Sequence, residues 1–156
     1  MATRRIVVGI DGSAGSDAAT AWCAEMAGPL DAEVVAVHAV NPLVQLVPPT
    51  MAAGPLAYYP AESNEALQAD LELHCEPLRA AGVPYRARLA AGDAAAVLIR
   101  EADVEDAALI VVGRRGSGGF SELVFGSVPH HLSHHASRPV VVIPVPSTNQ
   151  PATGQS

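Results

Sequence analysis

Four short runs of continuous, mostly β-branched apolar residues constrain this chain more than any other feature. They are Ile6-Val7-Val8-Gly9-Ile10, Val34-Val35-Ala36-Val37, Leu109-Ile110-Val111-Val112 and Val140-Val141-Val142-Ile143. A strand with one wet face alternates apolar and polar residues, whereas a strand covered on both faces does not. The four runs therefore read as strands of a parallel sheet with helices packed on either side. A fifth stretch, Tyr85-Arg86-Ala87-Arg88-Leu89, does alternate. It reads as a strand at a sheet edge with one wet face.

Helical patterns fill the intervals. Residues 13–27 open with Ser13 as a cap and meet a stop signal at Gly28-Pro29. Ala18, Trp22, Cys23 and Met26 fall on one face of that helix, which puts Trp22 in the core. Residues 61–81 place Leu67, Leu71, Cys75 and Leu78 at helical spacing and end at Gly82. Pro77 lies inside them, so the last turn is expected to kink or stop early. Asp93 caps a helix through Leu98, Ile99 and Ala102. Residues 127–136 form a last helix halted by Pro139, and Pro129 is tolerated because it falls in the first turn. Strands separated by helices imply right-handed crossovers and a three-layer α/β sandwich. One connection is irregular: residues 41–60 carry Pro42, Pro48, Pro49, Pro55 and Pro60, which marks a functional or mobile segment. Residues 147–156 read as a polar, disordered tail, leaving a single domain over residues 1–146.

Composition closes off several function classes. A chain of 156 residues, 49% of them hydrophobic, needs no metal or disulfide to hold a core. The net charge of −7 repels polyanions, so no nucleic-acid partner is expected. All nine basic residues are arginine. Without lysine there is no Schiff base and no Walker-type phosphate contact. No apolar run is long enough to span a membrane. The apolar stretch near the N-terminus is too short for a signal peptide, so a cytoplasmic location is expected. In that compartment Cys23 and Cys75 read as packed thiols.

The richest segment follows the fourth strand: Gly113-Arg114-Arg115-Gly116-Ser117-Gly118-Gly119, then Gly126-Ser127. Glycines past a strand let backbone approach a ligand, and their N–H groups can form an anion-binding concavity. Gly126-Ser127 opens a helix, whose first N–H groups and positive dipole end favour an anion. Arg114 and Arg115 add positive charge. The segment is neither a Walker loop nor G-x-G-x-x-G, and a plain glycine-rich surface turn has the same composition. The first strand ends at Gly9-Ile10-Asp11-Gly12-Ser13. Asp11, at the carboxyl end of a buried strand, could accept from a ribose or an amine, hold a cation, or cap the next helix.

Three features together resemble the universal stress protein family: Val-Gly-Ile-Asp-Gly-Ser-x-x-Ser at residues 8–16, Gly113-x2-Gly116-x9-Gly126-Ser127, and Arg138-Pro139-Val-Val-Val-Ile-Pro144. The resemblance covers about residues 4–146, and the glycine spacing is that of the family's ATP-binding members. It implies a five-stranded parallel sheet of order 3-2-1-4-5, a Rossmann-like α/β fold. It also implies that Gly9, Ile10, Asp11 and Ala39 line the adenine and ribose end of an ATP site. Gly113, Gly116, Ser117, Gly118 and Gly119 would wrap the phosphates, completed by Gly126 and Ser127, with Mg2+ as a possible companion. This chain departs from the family at Pro129, which removes one N–H from the helix start.

Four histidines cluster late, as the i,i+4 pairs His130/His134 and His131/His135. No glutamate lies between them as in zinc proteases, so an exposed structural face without a native metal is expected. His38, inside an apolar strand, is expected to be buried with its hydrogen bonds satisfied. No catalytic residue stands out. The expectation is an ATP-binding regulatory protein rather than an enzyme, with slow ATP hydrolysis, phosphotransfer, or binding of AMP or cyclic AMP as alternatives. The last strand carries no charge yet would lie at a sheet edge, which predicts a homodimer through it.

Overall fold

All five stretches form strands. The computed structural model describes residues 3–41, 64–115 and 126–146. The proline-rich connection over 42–60, the tail over 147–156, and Gly116, Ser117, Gly118 and Gly119 lie outside the described residues. In chain order the elements are β1 (Arg4–Gly9), α1 (Ala14–Leu30), β2 (Ala32–Val40), α2 (Asn64–His74), α3 (Glu76–Ala80), β3 (Tyr85–Ala91), α4 (Ala94–Val104), β4 (Leu109–Gly113), α5 (Ser127–His135) and β5 (Val140–Ile143). The sheet has the order β3-β2-β1-β4-β5, and every neighbouring pair is parallel. Chain order runs outward one way from β1 and the other way from β4, so the switch point lies between them. Among the described residues no helix is long and apolar enough to cross a membrane.

Continuous hydrophobicity follows from the two cores. On one face Ile6, Val8, Val34, Ala36 and Val111 meet Ala19, Cys23 and Ala27 of α1, Leu71 of α2 and Leu78 of α3. On the other, Val7, Val35, Val37, Ile110 and Val112 meet Val97, Leu98 and Ala102 of α4 and Leu132 of α5. Each fully buried Val, Ile or Leu contributes about 1.5–3 kcal/mol of transfer free energy. Alternate residues of one strand feed opposite cores, so the buried middles Ile6–Val8, Val34–Val37 and Ile110–Val112 carry no polar residue.

Helix α1 differs from the sequence reading in two ways. It runs past Gly28-Pro29 to Leu30 and ends at Asp31, which is left-handed with φ 51° and donates its N–H to Ala27 and Gly28. A proline one residue before the end forfeits only one hydrogen bond, to the carbonyl of exposed Glu25, which water can satisfy. The buried face is also turned: Gly15, Ser16, Ala19, Thr20, Cys23 and Ala27 face the sheet, while Trp22 is half-buried at the rim rather than in the core. Small residues let the helix lie close, and the Thr20 hydroxyl donates to the Ser16 carbonyl at 2.9 Å.

The helix expected over 61–81 breaks at Cys75, and Pro77 sits in the first turn of α3, where its missing N–H is harmless. Cys23 and Cys75 are both free and fully buried. Burial pushes their thiols up to about 12 and about 11.

The alternating strand β3 is at the edge, but its arginines are not simply wet. Arg86 donates to Glu33 at 2.7 Å and to Glu105 at 2.7 Å. Arg88 reaches Glu101 at 3.0 Å and Glu105 at 2.9 Å. Arg5 of β1 lies 3.5 Å from the same Glu105, whose side chain is only 7% exposed. Three guanidiniums thus converge on one carboxylate just past the end of α4.

Candidate functional site

Backbone first brings the two glycine segments together. The N–H of Gly126 donates to the Arg114 carbonyl at 2.8 Å, and the Arg114 N–H donates to Ile143 of β5 at 2.8 Å. The end of β4 and the start of α5 are therefore adjacent, as the two-piece cradle requires. Gly126 is the N-cap of α5 and brings no side-chain cap. Among the described residues no side-chain cap claims the N–H groups of Ser127 and Val128, and Pro129 supplies none. Ser127 is exposed, as is Arg115, while Arg114 is half-buried. The Arg114 Nε is buried with no hydrogen-bond partner among the described residues.

Gly113 has a structural reason of its own. The first turn of α1 crosses the end of β4 so closely that a Cβ on Gly113 would lie 2.4 Å from the Gly15 carbonyl carbon. A Cβ on Gly15 would lie 2.1 Å from the Arg115 carbonyl oxygen. Two glycines facing each other let the start of α1 reach the switch point, a contact the sequence reading missed. Gly9 is similar but softer, since a Cβ there would meet the Leu98 Cδ1 at 2.9 Å.

The loop after β1 is fixed by hydrogen bonds. Asp11 Oδ1 accepts from the Ser13 N–H at 2.9 Å and from the Ser13 hydroxyl at 2.5 Å. Ser13 Oγ in turn accepts from the Ser16 N–H at 3.2 Å, so the helix cap is Ser13 and Asp11 braces it. Gly12 has φ +80°, a left-handed conformation that favours glycine. This holds the exposed Asp11 carboxylate at the carboxyl end of β1.

Beside that loop lies a small cleft of about 30 Å³, lined by Ile10, Asp11, Gly12, His38, Leu67, Asp70, Leu71 and His74. Ile10, Leu67 and Leu71 supply apolar walls, while Asp11 and Asp70 supply acceptors. His38 Nδ1 lies 2.7 Å from the Ile10 carbonyl, so its hydrogen bond is satisfied as expected, but the ring is half-buried and faces the cleft. Ala39, the next residue, packs instead with the opposite core. His74 Nδ1 lies 2.8 Å from Asp17 Oδ1 and ties α2 to the first turn of α1. Its Nε2 lies 3.9 Å from Asp70.

Gly9, Ile10, Asp11, Gly113, Arg114, Arg115, Gly126 and Ser127 all fall at the carboxyl ends of β1 and β4 or at the α5 start they adjoin. His38, Asp70 and His74 were not foreseen at the site. Asp17 and His74 are 57 residues apart, and no local motif announces their meeting.

Residues 2–144 match the family model described as universal stress protein family. A universal stress protein of Mycolicibacterium smegmatis is 33% identical over 144 residues, which are 88% of this chain and 47% of that protein. The chain spans about half the length of the mycobacterial relatives it matches. The crystal structure of a universal stress protein in complex with cAMP superposes with a TM-score of 0.69 at 24% identity, covering 94% of this chain and 100% of that one. That of the Archaeoglobus fulgidus universal stress protein in complex with dAMP gives 0.67 at 23%, covering 92% and 99%. At these identities the likeness to solved structures is one of fold.

Proposed function

The chain belongs to the universal stress protein family, and from that premise we propose that it is a nucleotide-binding regulatory protein whose ligand is ATP. The observation that carries this reading is the junction of Arg114 with Gly126 beside the Asp11 loop. It supports a backbone anion cradle beside a carboxylate, because Arg114 and Asp11 follow neighbouring strands at the switch point, where open α/β sheets take their ligands. The base and ribose enter the cleft of Ile10, Asp11, His38 and Leu71, and the phosphates lie toward Ser127 and the two arginines. Family members in complex with cAMP and dAMP support an adenine nucleotide. The Gly113-x2-Gly116-x9-Gly126-Ser127 spacing favours the triphosphate. Among the described residues no group of three or more His, Cys, Asp or Glu side chains is placed to hold a metal ion. Magnesium, where present, would be carried by the phosphate oxygens with water and at most one or two carboxylates.

Binding rather than turnover is the proposed activity. The chain offers no lysine to a γ-phosphate. Its His74–Asp17 pair belongs to the cleft end, with Asp11 and His38, rather than to the Arg114–Gly126 junction. Nucleotide extracted by acid from freshly purified protein should be ATP. In calorimetric titration, Asp11→Ala and Gly126→Val should each weaken ATP binding at least tenfold, about 1.4 kcal/mol, while remaining folded. Unchanged affinity in both variants sinks the site assignment, and steady-state hydrolysis above roughly 1 s⁻¹ replaces the binding protein with an enzyme.

We also propose a homodimer through β5. That strand pairs with β4 on one side, and Val140, Val141, Val142 and Ile143 remain half-exposed along it. An apolar edge without a charge is a template for another strand, and a two-fold pairing closes it. Sedimentation should find a dimer in the wild type and monomer or insoluble protein in Val141→Lys. A wild type that stays monomeric at high micromolar concentration rules the dimer out.

A further inference from the structure

Helix α5 carries four histidines among its nine residues, all of them exposed. Helix stability does not account for them. Histidine is a weaker helix former than the Glu, Gln or Arg that usually fill exposed positions. Their arrangement is specific. The rings of His130 and His134 have centroids 4.8 Å apart, and those of His131 and His135 are 4.5 Å apart. Two imidazoles bound to one ion have a defined separation. With a metal–nitrogen bond of about 2.0–2.1 Å and a ring radius of roughly 1.15 Å, the centroids stand about 4.5 Å apart at a right angle and about 5.2 Å apart at the tetrahedral angle. These are also the separations of ordinary ring contacts, and they put each i,i+4 pair close enough to share one ion once the rings turn a nitrogen toward it.

We propose that the exposed histidine face of α5 is a binding site for a late first-row divalent metal ion, held by an i,i+4 imidazole pair, with copper(II) preferred over nickel(II) and zinc(II). Imidazole is a good ligand for all three, and affinity for a given nitrogen site peaks at copper. Each pair supplies two ligands, and water fills the remaining positions. The net charge of −7 adds a favourable field for a cation. The second pair is offset around the helix, and His134 and His135 lie 6.4 Å apart. A second ion would sit close to the first and bind more weakly by mutual repulsion. The histidines share α5 with the proposed phosphate contacts at Gly126 and Ser127, whereas the histidines lining the proposed base cleft are His38 and His74.

The test uses the full chain without an affinity tag, titrated with copper(II) by calorimetry and followed by electron paramagnetic resonance. The first equivalent should bind with a dissociation constant on the order of micromolar or tighter and show imidazole nitrogen coupling. The double variant H134Q/H135Q removes one ring from each pair and should bind at least tenfold more weakly. H38Q/H74Q should bind copper as the wild type does. If H134Q/H135Q loses its fold by circular dichroism, H130Q/H131Q breaks the same two pairs and replaces it. Equal copper affinity in the α5 variant, loss of binding only in H38Q/H74Q, or wild-type binding no tighter than millimolar each overturns the proposal. Failure to bind ATP would leave these outcomes unaffected.

Discussion

Gly113→Ala is expected to destabilise the fold by about 3 kcal/mol or more, the upper end of what overpacking does. The added methyl would fall 2.4–2.7 Å from backbone atoms of Gly15, and backbone cannot swing aside as a side-chain tip can. Relief requires α1 to lift off β4, which opens the packing of Ala19 and Cys23 against the sheet. Gly15→Ala should do the same through the Arg115 carbonyl. Gly28→Ala provides the contrast. It lies in α1 with nothing within 4 Å of its added methyl, so there the substitution should be neutral or stabilise by up to about 1 kcal/mol. Urea unfolding of the three variants measures the difference. A Gly113→Ala protein with the wild-type midpoint is incompatible with this helix–strand contact.

The second large effect is expected at Glu105. Replacing it with Ala leaves Arg86, Arg88 and Arg5 without the carboxylate they share. Breaking a fully buried ion pair costs about 3–5 kcal/mol, whereas exposed pairs are worth less than about 1. The carboxylate is buried here but the guanidiniums keep between 38% and 41% of their exposure. About 2–3 kcal/mol is therefore expected. Hydrogen bonding from Arg86, joined by the charges of Arg86, Arg88 and Arg5, holds the Glu105 carboxyl below its ordinary value of 4.5. A depressed carboxyl contributes stability that is complete above 4.5 and is lost as pH falls through the lower folded value. Glu105→Gln should accordingly flatten the loss of stability as pH falls below 4.5 relative to wild type. Parallel pH curves for the two proteins would remove Glu105 as the source.

The sheet was legible because burial on both faces leaves a direct signature in sequence. Val7 and Val8 serve opposite cores, and neither can be polar. Helix α1 was legible as a helix but not in its orientation. Large apolar side chains such as Trp22 and Met26 attract attention, yet close approach to the sheet selects Gly15, Ser16 and Ala19. Arg86 and Arg88 read as a wet face because their partners, Glu33, Glu101 and Glu105, lie on other elements. In the site, local motifs revealed the Asp11 loop and the Gly126-Ser127 helix start. The His74–Asp17 link was invisible for the opposite reason, since tertiary packing alone makes it.

The two borders of the sheet are chemically unlike, and that limits what these molecules can build. Strand β3 ends the sheet with Arg86 and Arg88 tied into a carboxylate network, whereas β5 ends it with four uncharged apolar residues. Charge on a border strand disfavours the docking of a further strand. In the dimer proposed across β5, the joined sheet would end on both sides at β3, whose charged arginines offer a further copy no apolar strand edge among the described residues.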